Sequence, residues 1–463
     1  MGSPQRHRDT EEAKSKARVE HTEVAEITEP PLYYHFWMAS LATTPAQTTV
    51  SKWRPITRVS FRFAFCYLGL YCLIAFQNVM DFLPYEKISH WFVPWVGQHV
   101  LHLSKPITYF ISGSGDRTSD WVLLFCHLVV SIVGTVVWTI LDRRKEYPTL
   151  NEWLRVALRY ALAVTMFAYG SAKVVKLQFS DPSLGRLLEP LRDVSPMGLL
   201  WTFMGVSTPY TFFAGASELL GGVLLFFRRT TTLGALVTAA VMTNVAILNY
   251  AYDVPVKLLA THLVLMCGYL LIPDLRALCD FFIRNRPAAP APVQPHFASK
   301  KWRIAEGTVK TLFISFTVVT SAVGMIEGYN SRYGPAAPKS PLYGIWDVEE
   351  FTRDGQTLPP LLTDTVRWRR MVTQSPTGIS IRGMDDSIHA YAVHFDTAKS
   401  TILSNDAKTS LTITWSRPDA DHLNLTGTVD GHHLAVRLNR MDVSHTNLLG
   451  RGFHWISELP FNR

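Results

Sequence analysis

Seven stretches of nearly continuous apolar residues, at 60–80, 121–141, 153–175, 209–227, 232–251, 254–273 and 309–328, punctuate the first two thirds of the chain. Each is close to the ~20 residues that carry a helix across a ~30 Å hydrocarbon core. They predict a polytopic α-helical membrane bundle of about seven transmembrane helices. From Leu342 the period shortens. Leu411, Ile413 and Trp415 alternate with polar residues, as do Tyr391, Val393 and Phe395, and Leu434, Val436 and Leu438. Such alternation marks half-buried strands. Asp430-Gly431 is a hairpin signal, and Asp354-Gly355, Asp385-Asp386 and Asn405-Asp406 mark further turns. About eight short strands at this spacing predict an antiparallel β-barrel-like domain. Its opening Gly344-Ile345-Trp346 resembles the Gly-x-Trp start of lipocalin-type barrels, which implies an arginine laid over the tryptophan, here Arg451. Such a barrel either holds a ligand or closes on a core of its own side chains.

These patterns divide the chain into a largely disordered N-terminal segment (1–55), two additional spans joined by an aromatic loop (56–150), a four-helix unit (151–285), a Pro-rich linker with the last span (286–332), and the β-rich domain (333–463). The polar 1–55 segment is too long for a cleaved signal and carries one aromatic patch, Tyr33, Tyr34, Phe36 and Trp37. Trp91, Phe92, Trp95, His99, His102 and Tyr109 suit interfacial helices or a re-entrant segment at headgroup level.

Charge then gives the bundle a direction. The formal net charge is +8, but the excess lies in short segments beside spans rather than in a nucleic-acid-binding patch. Arg54, Arg58 and Arg62, Arg143 to Lys145, Arg228 and Arg229, and the basic residues between 276 and 310 all fall on one side. The positive-inside bias makes that side, and the N-terminus, cytoplasmic, with the β domain outside a plasma membrane. The five cysteines lie in or beside spans and form no C-x-x-C pair.

Ionisable residues inside spans are costly and mark function by default. Tyr169 and Lys173 share a helix face at i, i+4 beside Gly170, and Glu218 lies among Gly215, Ala216, Ser217, Gly221 and Gly222. Asn249, Asp253 and Lys257 flank the turn between the fifth and sixth spans, and His127 lies in the second. At 1.5 Å per residue, Lys173, Lys257, Asn249, Asp253 and His127 come within roughly 10 Å of the outer boundary, and Glu218 about 13 Å. One polar cavity in the outer half of the bundle is therefore expected. The plainer alternatives are lysines that snorkel to the interface and a packing histidine. His99-x-x-His102 reads either as an imidazole pair or as interfacial, and 113–118 as an anion nest or a tight turn.

Residues 153–283 resemble the DoxX-like membrane proteins, four-helix units with a Gly-x-x-Lys element, here Gly170 to Lys173, and an Ala/Ser-Glu-x-x-Gly-Gly element, here Ser217 to Gly222. The segment Asn249 to Lys257 is similar to that of long DoxX-type proteins with an exported C-terminal domain. The resemblance implies a membrane redox system with a quinone as cofactor and a redox protein as partner. Lys173 would then hydrogen-bond a headgroup oxygen and Glu218 accept or relay a proton, the two catalytic residues. Tyr169, Asn249, Asp253, Lys257 and His127 would complete the binding site. A more distant relation is to the vitamin K-dependent carboxylase group, which also joins a helical membrane unit to an exported β domain. The chain has no haem-ligating histidine pair and no flavin fingerprint. The other class of reading is a non-enzymatic anchor or carrier whose β domain binds a lipid, an envelope component or a protein.

Overall fold

The computed structural model describes residues 53–77, 85–109, 113–288, 299–331, 336–404 and 410–462. The aromatic patch at 33–37, residues 289–292 of the Pro-rich linker and the turn at Asn405-Asp406 lie outside them.

The helices of eight residues or more are α1 (Pro55–Gln77), α2 (Tyr85–His99), α3 (Thr118–Leu141), α4 (Pro148–Val174), α5 (Pro196–Val206), α6 (Thr208–Phe226), α7 (Thr231–Ala251), α8 (Lys257–Leu271), α9 (Leu275–Phe282) and α10 (Lys300–Asn330). Among the described residues, six helical stretches are long and apolar enough to cross a membrane: those of α1, α3, α6, α7, α8 with α9, and α10. The chain is a multi-pass membrane protein. The third predicted span, α4, is not among the six because Glu152, Arg155, Arg159 and Lys173 interrupt its 27 residues. It is instead the enclosed centre of the bundle, with Leu158, Ala161 and Leu162 wholly buried. Glu218 of the sixth helix pairs with Lys173, and Arg228 pairs with Glu152, contacts that lipid would not supply.

Close contacts define the helix directions. Gly170 of α4 meets Gly215 and Leu219 of α6, while Gly222 meets Ala163 and Met166, so the two helices are antiparallel. Gly221 meets Thr238 and Gly234 meets Leu224, which makes α7 antiparallel to α6. Tyr160 packs on Phe313, and Gly328 on Leu177 just past α4, so α10 runs in the same direction as α4. The β domain that follows α10 therefore sits at the end of the bundle where α4 terminates, opposite the Arg-rich connections.

That domain is a closed antiparallel barrel. Its strands are β1 (Gly344–Arg353), β2 (Gln356–Thr357), β3 (Trp368–Thr373), β4 (Gly378–Gly383), β5 (Ile388–Asp396), β6 (Thr401–Ser404), β7 (Leu411–Ser416), β8 (His422–Val429) and β9 (His432–Met441). β1 pairs with β3 through Gly344↔Thr373 and with β9 through Ile345↔Met441 and Arg353↔Leu434, and a bulge after Val348 bends it to serve both. Eight strands thus close, while β2 is a two-residue arm on β1. Closure removes the exposed sheet edges.

The interior is filled. Trp346, Phe351, Met371, Ile381, Ile402, Leu423 and Leu438 are at most 1% exposed. Each such side chain contributes about 1.5–3 kcal/mol on leaving water. The barrel is the kind that closes on its own core. Trp346 donates its indole N–H to the Leu342 carbonyl at 2.9 Å. The guanidinium over its ring is Arg417, at 5.5 Å, and not Arg451, which covers Phe461 at 4.2 Å. Arg451 follows the last strand and has left the barrel wall. Of the other tryptophans, Trp368 is in the core, Trp415 packs against it, and Trp455 is 92% exposed on the C-terminal segment.

Among the described residues, two polar contacts tie the barrel to the bundle. Arg382 donates to the Leu188 carbonyl at 2.7 Å, and the Leu184 amide donates to the Gln374 side chain at 2.9 Å. A hydrogen bond from a buried cation is worth about 1.5–3 kcal/mol. Arg382→Ala is therefore expected to loosen the 183–189 loop, read as faster amide hydrogen exchange there; unchanged protection would contradict this anchoring.

Candidate functional site

The site starts from three glycines. A Cβ on Gly170 would lie 2.7 Å from the Leu219 nitrogen, one on Gly215 would lie 2.7 Å from the Gly170 carbonyl, and one on Gly222 would lie 3.0 Å from the Ala163 carbonyl. Backbone therefore touches backbone along the α4/α6 crossing, as small residues permit in membranes. Lys173 is one turn beyond Gly170, and Glu218 one turn beyond Gly215. The close crossing brings their side chains together, and Lys173 Nζ donates to Glu218 Oε2 at 2.7 Å with the two side chains 7% and 2% exposed.

The ammonium also faces two aromatic rings, Tyr169 at 5.6 Å and Phe179 at 5.9 Å. Both rings place negative π density toward the cation. A desolvated ion pair costs several kcal/mol per ion unless its geometry is good and its remaining valences are met. Here one carboxylate oxygen and two aromatic faces meet part of that requirement.

The pair forms one wall of a cavity of about 300 Å³. Leu200, Trp201, Met204, Leu248 and Leu263 supply apolar walls, and Tyr169, Gln178, Ser217, Asn244 and Asn249 supply polar edges. Asn249 donates to the Val256 carbonyl at 3.3 Å, which holds the turn after α7 over the cavity. The Gln178 side-chain oxygen is buried with no hydrogen-bond partner among the described residues. A buried acceptor left in this state favours a ligand that donates to it.

Four of the seven residues expected from sequence, Tyr169, Lys173, Glu218 and Asn249, line this cavity. The other three do not. Asp253 is 86% exposed and Lys257 pairs with it at 2.8 Å, with Asp116 a further 3.8 Å partner. Asp116 in turn accepts from the Lys257 and Leu258 amides, capping the start of α8. The 113–118 segment is thus a turn and cap, with Gly115 donating to the Pro255 carbonyl at 2.7 Å. His127 is buried on α3, where it lies within electrostatic reach of His262. His262 donates through Nδ1 to the Leu258 carbonyl and accepts the Tyr67 hydroxyl at 2.7 Å, with Tyr71 stacked 4.0 Å away. Those groups belong to the α1/α3/α8 packing, away from the cavity. His99 stacks on Trp95 and donates to its carbonyl, as an interfacial residue does.

Gln178 and Asn244 were not singled out from sequence. Gln178 follows α4 in irregular chain, where no period reports its direction. Asn244 carried a signal, a second amide beside Asn249 in the apolar run 232–251.

No protein-family model and no solved structure matches the chain. A stretch of 140 residues, 30% of this chain, is 37% identical to the uncharacterized protein YwoB of Bacillus subtilis (strain 168) and covers 87% of that protein. At that identity and coverage, the chain belongs to the same family as YwoB.

Proposed function

We propose that the chain is a DoxX-like membrane unit that binds a quinone or a comparable ring-bearing amphiphile in the α4/α6 cavity, as the binding subunit of a membrane redox system. One observation carries this reading: a desolvated Lys173–Glu218 pair on the wall of a mainly apolar cavity of about 300 Å³. The size is at the low end of the ~300–1,000 Å³ of small-molecule sites, and few polar groups converge on apolar walls. The donor set fits a quinone. Lys173 would donate to one ring oxygen, the orphaned Gln178 oxygen would accept a hydrogen bond from the hydroxyl of the quinol form, and Phe179 and Trp201 would flank the ring.

A bound quinone supplies two-electron, two-proton chemistry; the protein holds and moves the protons. Glu218 would relay protons to the ring oxygens, Lys173 would keep the site's charge balanced, and Tyr169 would orient the ammonium. The electrons come from a redox protein partner. The match to YwoB spans 30% of this chain and 87% of YwoB, which supports a functional core much smaller than the whole chain. The charge bias supports a plasma membrane location with the N-terminus cytoplasmic and the barrel outside.

The test is titration of the purified protein with a tail-less benzoquinone, read by quenching of tryptophan fluorescence. Binding lost in Lys173→Met and in Glu218→Gln is expected, and affinity unchanged in both would refute the reading.

A second reading, an anchor with a binding barrel, is favoured by the barrel mouth. There Phe351 and Trp368 floor a cleft of about 270 Å³ rimmed by Arg353, His389, Asp430 and His432. His432 and the His433 amide both donate to Asp354 beside it, which holds that carboxyl below the usual carboxylate range. The cleft would take a small polar ligand, and fluorescence of Trp368 on titration of the full chain distinguishes the two readings.

A further inference from the structure

The cavity has two sides that do not face protein interior, and they differ in kind. On one side Trp201 separates it from a polar cleft of about 800 Å³ beneath the barrel, where Ser180, Asp181, Arg186, Lys339 and Gln374 meet. Trp201 lines both spaces, so the indole is the partition between the cavity and water. On the other side the lining comes from the outward surfaces of α6 and α7. Tyr210 and Phe213, 41% and 65% exposed, line it from α6, and Asn244, also exposed, lines it from α7. Ser217 of α6 stands across from Asn244 of α7 at a similar level, since the two helices are antiparallel and Gly221 meets Thr238 deeper in the span. Counted from the helix ends at Thr208 and Ala251, Ser217 and Asn244 lie about 10–14 Å into the span at 1.5 Å per residue. That depth is hydrocarbon.

An amide presented to lipid at such depth is costly and is kept where it lines a pathway or a site. Asn244 is not explained by packing, because its neighbours on the same exposed face, Ile247 and Tyr250, are the apolar and aromatic residues that lipid favours. The cavity volume adds a second constraint. About 300 Å³ accommodates a substituted ring and not a polyprenyl chain as well, so the tail of a membrane quinone has to leave the site. Through Trp201 it would enter a polar cleft, where every methylene exposed to water is unfavourable. Through the α6/α7 gap it stays in lipid.

We propose that the cavity is loaded sideways from the bilayer through the gap between α6 and α7, with Asn244 and Ser217 as the polar sill that the ring crosses. The ligand is then a lipid-phase molecule with a polar ring and a long apolar tail that remains among the acyl chains. Asn244 hydrogen-bonds the ring oxygens during entry, which lowers the barrier to bringing the ring past apolar helix surfaces. Trp201 keeps the aqueous cleft closed. The inference rests on the ring-binding reading above and assigns that site its entrance and its ligand's tail.

The test uses the full chain in lipid nanodiscs, with two benzoquinones that share one ring, one tail-less and one with a full-length polyprenyl tail that carries a diazirine on its first prenyl unit. Both are expected to bind. Photolysis is expected to label peptides containing 210–217 and 241–248. Label on 180–186 or 374–377 instead would place the tail in the aqueous cleft and overturn the proposal. Asn244→Trp, which fills the gap, is expected to weaken the long-tailed quinone about tenfold or more beyond any loss it causes for the tail-less ring. If that variant does not fold, the labelling pattern of the unmodified protein decides. Binding of the tail-less ring without the long-tailed one would overturn side loading and leave the ring site standing. Binding of neither would overturn both.

Discussion

Glu218→Gln is expected to destabilise the bundle by about 3–5 kcal/mol, because it leaves the Lys173 ammonium buried without its counter-charge. The magnitude follows from asymmetry. A desolvated pair contributes little net stability, while half of one is an uncompensated charge in a low dielectric. The double variant Lys173→Met, Glu218→Leu removes both charges and keeps apolar volume, so most of that stability is expected to return. Ligand binding is not expected to return with it. Denaturant unfolding in detergent, followed by tryptophan fluorescence, measures the first quantity, and quinone titration the second. A double variant as unstable as the single one would mean that the pair is structural scaffolding.

The second large effect is expected at the crossing itself. Gly215→Val places a branched side chain where a single Cβ already comes within 2.7 Å of the Gly170 carbonyl and the Lys173 Cβ. Neither contact can yield cheaply, since one is backbone and the other is the root of a side chain. Overpacking of this kind costs about 1–3 kcal/mol and occasionally more. The helices must part, which lengthens the Lys173–Glu218 contact, so a lower unfolding midpoint and loss of quinone binding are expected together. Gly268→Val is the control, because no atom lies within 4 Å of a Cβ at Gly268. Equal losses from the two substitutions would argue that glycine propensity, and not the crossing, is responsible.

Much of this arrangement was legible in the residues. Tyr169 and Lys173 share a face because an α-helix repeats every 3.6 residues, and the glycines beside Lys173 and Glu218 announced a close crossing. Rise per residue reports depth and not direction around the helix. Asp253 and Lys257 were therefore grouped with the site by level, although Asp253, with φ +51°, turns out of the helix after α7 and draws Lys257 outward. His127 failed for a related reason: α3 packs toward α1 and α8, a choice of neighbours that no local period encodes. In the barrel, alternation located the strands, while the β1 to β9 pairing that closes it joins residues far apart in the chain, such as Ile345 and Met441. Arg417 could not be told from Arg451 as the partner of Trp346, because that contact exists only once the wall has closed. The six apolar spans were visible as composition. The enclosed position of α4 was visible only indirectly, as charges that lipid would not accept.

The most direct test of the central claim is native mass spectrometry of the intact protein released from its own membrane, beside the Lys173→Met, Glu218→Leu variant. The account predicts a stoichiometric polyprenyl quinone on the unmodified protein and none on the variant. A quinone retained by the variant, or phospholipid alone on both, would contradict it.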